Sequence, residues 1–457
     1  MTLTPVPRIP LPYALRYVVD PVGTFEAARR RYGPVFRMDF PGFPPEVFVT
    51  TAELAEQVYA TDASGGRAGE IRRQFLEPLV GRHSLLTLDH APWWRHRRLI
   101  SPPLHGRAIA RWRAEIAGIA AAEIARWPLN TPFALRDRMQ DITLEVILRL
   151  VFGVRDTRRL DRLRGAVAEL IDAAGAWSLL LMPPRPRDWL LAAPVPRRVP
   201  FLPTTRFARV REAVDELLYD EIARRRAAID PDATDVLSLL LAARDEDGQG
   251  MSDQELRDEL ITLLVAGHET TATGLAWAFE RLLRNRPVLD RLTAELAAGE
   301  DETYLDAVVK ETLRSRPVVY DVPRLLDAPL RLGGHELEAG WMASPLIMLI
   351  HRDPEVFPEP GAFRPERFLG PDAARAGKAW MPFGGGRRYC VGAQLALMEM
   401  RVIIREVLAA VELSAVDPAP EKPRVRHVTL VPSKRTRVVA RPVRSGRSRS
   451  AAPSRVV

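Results

Sequence analysis

The chain has a single cysteine, Cys390, at the end of the run Phe383, Gly384, Gly385, Gly386, Arg387, Arg388, Tyr389 and just ahead of Val391 and Gly392. A thiolate can ligate a metal. Glycines placed there let the backbone approach a flat cofactor closely and turn amide N–H groups toward a negatively charged sulfur. Such donors stabilise the thiolate and tune a metal bound to it. By itself, a lone cysteine reads first as a small buried apolar side chain. The glycine-rich surroundings favour the ligand.

A second constellation is Ala266, Gly267, His268, Glu269, Thr270 and Thr271, inside a stretch that is apolar on nearly every face from 260 to 279. A helix apolar all round is buried. A membrane span would share that pattern, but His268, Glu269 and the threonines at its centre would be costly in lipid. A carboxylate beside a hydroxyl in a buried helix breaks the local rules, as functional sites do. The threonine hydroxyl can bond the carbonyl four residues back and bend the helix, and Gly267 leaves room for a ligand to lie close. A third pair, Glu311 and Arg314, shares a helix face at a spacing of three. In isolation it reads as a solvated surface pair.

The spacing of Phe383, Gly386, Arg388, Cys390 and Gly392 resembles the haem-binding signature of the cytochrome P450 superfamily, and the other two motifs follow that family's order over most of the chain. The resemblance implies a fold that is mainly α with small β-sheets (α+β), prism-like, with haem b between a long central helix and the cysteine loop. It implies Cys390 as axial iron ligand, a thiolate that favours O–O cleavage in this family. It places Ala266 and Gly267 against the haem and gives Thr270 with Glu269 the organisation of water and the delivery of protons. Glu311 and Arg314, with Arg367 of Pro365-Glu366-Arg367-Phe368, resemble the family's Glu-Arg-Arg network, a structural lock on the segment before the cysteine loop. Haem carboxylates call for cations and hydrogen-bond donors. Trp93 and Arg97 match the Trp-x-x-x-Arg helix motif; Trp94 with Arg98 offers the same spacing, but the first register sets Leu99, Pro102 and Pro103 as in the family. Arg324 and Arg388 are the other implied carboxylate partners, although each arginine alone reads equally as surface solvation.

The implied activity is insertion of one atom of O2 into a small apolar organic molecule of lipid-like, terpenoid, steroid or aromatic character. Electrons would come from NAD(P)H through a separate ferredoxin or flavodoxin and its reductase. Arg97, Arg98, Lys378, Arg387 and Arg388 would gather on the cysteine side and suit an acidic carrier. Two other readings stand: a peroxide-driven or isomerising haem-thiolate enzyme, whose relatives typically replace the acid-threonine pair, and a non-enzymatic haem-binding sensor. The implied pocket comprises the loop over 65–88, a proline-rich segment over 182–203, Val265 and Ala266, 318–322 and 428–431. Within it Val265, Val319, Tyr320, Asp321 and Thr429 are the candidate contacts. Tyr320 and Asp321 either orient a substrate hydroxyl or amine or serve as a cap or water contact.

These residues need positioning elements. Phe36, Met38 and Phe40 alternate with charged residues, and 41–45 turns into a second strand over 46–50. Thr51 is a helix N-cap. Helices are expected over 109–127, 141–152, 160–175, 205–229, 252–284 and 393–411, with short β-prone pieces after Pro323. The segment 182–203 carries seven prolines and reads as a lid, a membrane-touching patch or a plain connector.

The net charge of +8 would suggest nucleic acid or an acidic membrane were it spread evenly. Eight bases and no acid fall within 433–457, however, and the remainder balances at 58 against 58. No nucleic-acid partner is expected. Residues 1–442 read as a single catalytic domain and 443–457 as a basic Ser/Arg/Pro-rich tail with too little apolar surface to order itself. It is either a solvated terminus or an electrostatic tether. One cysteine rules out an intrachain disulfide, and with no signal-like or membrane-spanning start a soluble, cytoplasmic protein is expected.

Overall fold

The computed structural model describes residues 4–10, 16–17, 19–40, 43–153, 156–174, 203–228, 230, 232–299, 301–426 and 428–443. Of the proline-rich segment over 182–203, residues 182–202 lie outside the described residues, as do residues 444–457 of the tail expected over 443–457. Helices of seven residues or more are α1 (Pro21–Tyr32), α2 (Ala52–Ala60), α3 (Gly69–Val80), α4 (His90–Ile100), α5 (Arg113–Ile124), α6 (Leu135–Phe152), α7 (Thr157–Ala174), α8 (Pro203–Ala227), α9 (Val236–Ala242), α10 (Asp253–Arg284), α11 (Arg286–Ala298), α12 (Thr303–Ser315), α13 (Ala373–Ala379) and α14 (Ala393–Ala410). Among the described residues, no helix is long and apolar enough to cross a membrane.

The central helix α10 runs 32 residues, about 48 Å at the usual rise of about 1.5 Å per residue. Its start is fixed by a capping box: Ser252 accepts from the Glu255 amide, and the Glu255 carboxylate accepts from the Ser252 amide. Most of its length is buried, because α6 and α14 pack on it within one large apolar cluster. Helix α6 begins at Leu135, six residues before the expected 141, because its first turn is tied down through backbone bonds from Leu135 and Arg136 to the carbonyls of Thr436 and Arg435. The early part of 65–88, expected as loop, contains α3, whose amides Gly69 and Glu70 are held by the Asp89 carboxylate at 2.9 and 2.8 Å.

The strands are β1 (Val35–Met38), β2 (Glu46–Val49), β3 (Gly66–Arg67), β4 (Pro132–Ala134), β5 (Arg324–Leu326), β6 (Leu330–Leu332), β7 (His335–Leu337), β8 (Met342–Pro345), β9 (Val411–Ala415), β10 (Pro423–Arg426), β11 (Thr429–Pro432) and β12 (Arg437–Pro442). The largest sheet has the order β1-β2-β8-β5-β3, and β2 pairs with β8 in parallel. All four residues of β2 are buried, so this strand is covered on both faces. Thr51 caps α2 through the Leu54 amide, as its position predicts. The sheet presents Arg324, and the β10–β11 hairpin lays Thr429 against Val319.

Candidate active site

The cysteine loop is a tight turn braced from behind. Gly386 has a positive φ of 65°, which L side chains rarely adopt, and a Cβ there would lie 2.7 Å from an Asp62 carboxylate oxygen. A Cβ on Gly385 would lie 2.4 Å from the Tyr59 ring. The loop closes when the Cys390 amide donates to the Phe383 carbonyl at 3.1 Å, and Phe383 sits edge-on between Trp380 and Tyr389. Burial pushes the Cys390 thiol above its ordinary value, while the Gly392 amide and the cations of Arg97 and Arg72 oppose that shift. Cys390 is nevertheless accessible to a water-sized sphere. A Cβ on Gly392 would likewise meet nothing within 4 Å.

Helix α10 offers a matching strip. Leu263, Ala266, Gly267 and Thr270, spaced by three and four on one face, are at least partly accessible in a mostly buried helix, and Ala266 is exposed in mid-helix. The Thr270 hydroxyl donates to the Ala266 carbonyl at 2.6 Å, the back-bond that its position predicts. Gly267 has a different reason for being glycine: its Cβ would lie 2.7 Å from Ile147 Cδ1, so it lets α6 pack closely. Glu269 also turns to α6, where its carboxylate pairs with Arg136 and accepts from Gln140 Nε2 at 2.7 Å. Burial lowers the pKa of His268 to about 4, leaving it neutral at pH 7, and the Thr143 hydroxyl holds its carbonyl at 3.1 Å.

Four guanidiniums converge where the sequence reading placed three. Arg324, buried on β5, donates to Asp62 at 2.5 Å. Arg388 pairs with Asp89, donates to the Leu88 carbonyl at 2.8 Å and stacks 4.4 Å from the Trp93 ring centroid. Arg97 donates to the Tyr389 carbonyl at 2.7 Å. The Arg72 side chain, on α3, has no hydrogen-bond or ion-pair partner among the described residues, and burial first, then the nearby Arg324, lowers its pKa to about 10. Four cations against Asp62 and Asp89 leave an excess of two positive charges, which fits a ring bearing two carboxylates. Trp93 is buried and Trp94 exposed, with Arg98 paired to Glu246 on the surface, so the Trp93–Arg97 register is the one facing inward. The sequence reading missed Arg72, Asp62 and Asp89 because each stands alone in the chain without a motif.

Behind the loop, Glu311 and Arg314 are both fully buried and bonded at 2.7 and 2.8 Å. Arg314 also donates to the carbonyls of His351, Pro360 and Ala362, and Arg367 lies 3.5 Å from Glu311. The pair is thus an interior clamp.

The candidate pocket residues divide. Val265 and Val319 are partly accessible. Thr429 is buried, with its hydroxyl donated to the Arg426 carbonyl at 2.9 Å. Tyr320 pairs its hydroxyl with that of Tyr17 and packs in the apolar cluster under the large sheet. Asp321 has no side-chain partner; burial raises its carboxyl to about 7 against the opposing charge of Arg72. Its neighbour Glu46 is raised to about 8, by burial and then by Asp321.

Comparison with known proteins points one way. The profile of one family, Cytochrome P450, matches residues 9–439. Cytochrome P450 135B1 of Mycobacterium bovis is 44% identical over 427 residues, covering 92% of this chain and 87% of its own. Cytochrome P450 137 of Mycobacterium tuberculosis is 37% identical over 440 residues, covering 94% and 88%. Two solved structures share the fold at a TM-score of 0.81: retinoic acid bound cyanobacterial CYP120A1, 22% identical over 97% of this chain and 100% of that one, and the cytochrome P450DA heme domain, 23% identical over 97% and 98%.

Proposed function

The chain belongs to the cytochrome P450 family, and from that premise we propose that it oxidises a small apolar organic molecule with one atom of O2, using electrons delivered by a separate carrier protein. As a family member it is a haem-thiolate monooxygenase. Haem bound here would supply the redox chemistry of oxygen activation. In this reading Cys390 holds the iron, while Arg72, Arg97, Arg324 and Arg388 hold the carboxylates and Trp93 backs Arg388. Thr270 keeps its hydroxyl against the Ala266 carbonyl of α10 and passes protons, and Glu269 replenishes them.

One observation carries the substrate class: the accessible side chains on the inner walls, Leu263, Val265, Ala266, Val319 and Val322, are apolar. Long-chain lipids, isoprenoids such as the retinoic acid carried by the cyanobacterial structure, steroids and aromatics form the test set. The experiment is a screen for the spin-state shift of the ferric protein, followed by turnover with NADPH and a surrogate ferredoxin system. Product formed with that system and not with peroxide alone supports the reading. Turnover by peroxide alone would favour a peroxide-driven enzyme instead, which the retained Glu269 and Thr270 argue against.

For the electron carrier, the exposed Lys378 and Arg387 with Arg98 offer a cationic patch beside the loop. Arg388 drops out of the expected patch because it is turned inward onto Asp89. An acidic ferredoxin or flavodoxin suits what remains.

A further inference from the structure

Glu269 is not free to act from where it stands. One carboxylate oxygen is paired with Arg136 and the other accepts from Gln140 Nε2 at 2.7 Å. Both partners lie on α6, one turn apart, so a single helix face grips both oxygens. That face is rigid. The Arg136 amide donates to the Arg435 carbonyl at 3.1 Å, and one turn further on the Thr143 hydroxyl bonds the His268 carbonyl of α10 at 3.1 Å. The Arg136 side chain is only 2% exposed, so releasing Glu269 would leave a buried cation unpaired, a severe cost. The grip is therefore persistent.

We propose that Arg136 is a positioning residue that keeps the Glu269 carboxylate turned onto α6, and thereby sets the pH range over which protons reach Thr270. This rests on the reading of Glu269 as the proton carrier. The carboxylate takes up a proton from water, the Arg136 pairing weakens as its charge is lost, and the neutral acid passes the proton toward Thr270 before the pair re-forms. No bond between heavy atoms changes. The charged and titratable groups facing this pair are His268 on α10, Asp137 on α6 and Arg426 on β10, and the last two act chiefly on Arg136.

The test uses the haem-loaded full chain with R136M, R136K, Q140L and E269Q. For R136M the acid limb of the pH profile of product formation moves up by about one pH unit or more, the scale on which losing a close opposite charge moves a carboxyl. The protonated-carboxyl infrared band that E269Q removes, read without turnover, appears at correspondingly higher pH. R136K restores most of both shifts. A purely structural Arg136 would lower thermal stability and leave limb and band in place, and that result overturns the proposal. Should R136M fail to load haem, Q140L and R136K carry the test: small shifts in the same direction support it, and none overturns it. If E269Q itself leaves the coupling of oxygen use to product unchanged, the underlying reading of Glu269 fails first.

Discussion

Glu399 invites the most quantitative test. It lies on α14 with Leu395, Val402 and Ile403, is 1% exposed, and its Oε2 has no hydrogen-bond partner. Burial alone raises its carboxyl from 4.5 to about 8. An acid raised in the folded state is protonated there while the unfolded chain ionises, so the folded state loses ground as pH climbs from the unfolded value to the folded one. At about 1.4 kcal/mol per pH unit, that interval amounts to about 5 kcal/mol at pH 8 and above, and to under about 1 kcal/mol at pH 5. Glu399→Gln removes the titration but leaves a buried amide, whose own cost of about 1–3 kcal/mol is the same at every pH. The assay is urea unfolding of both proteins at pH 5 and pH 8. Relative to wild type, E399Q should gain about 4 kcal/mol between the two conditions. A stability difference between the proteins that is equal at both pH values would refute the reasoning.

Other outcomes follow from the same geometry. Cys390→Ser should abolish the red-shifted carbon monoxide band of the reduced protein, read by difference spectroscopy. Glu311→Gln leaves the fully buried Arg314 without its countercharge and should cost about 3–5 kcal/mol in denaturant stability, with loss of haem retention. Gly267→Ala should gain about 1 kcal/mol of helix stability only when combined with Ile147→Val, which removes the clashing Cδ1; a double-mutant cycle in urea checks the coupling. Thr270→Ala should keep haem but raise peroxide release per NADPH consumed. Raising ionic strength should slow reduction by an acidic carrier, and Arg387→Glu should remove most of that dependence.

Much of the frame could be read from local sequence. The helical stretch and its apolar run located α10 to within a residue, and the glycines before Cys390 announced a turn in which Gly384 and Gly386 adopt positive φ. What escaped were residues whose meaning is purely spatial. Arg136 and Gln140 fall in the first turns of α6, a polar stretch without apolar periodicity, so the helix was expected only from 141 and the grip on Glu269 was invisible. Asp62, Asp89 and Arg72 look like surface charges until the chain returns more than 200 residues later with Arg324 and Arg388. Gly267 was read as room for a ligand, and the fold adds a second demand on its missing side chain, the close contact with Ile147. Glycine indicates where something passes close, and only the fold shows whether that something is ligand or protein.

Asp89 has one consequence beyond charge balance. The same carboxylate anchors the first two amides of α3 and pairs with Arg388, one of the guanidiniums proposed to hold the haem carboxylates. Under the proposed assignment, porphyrin capture and the docking of α3 draw on one shared hinge pin. Chains made during haem starvation should expose the α3 region to proteases, and loading the prosthetic group should protect it.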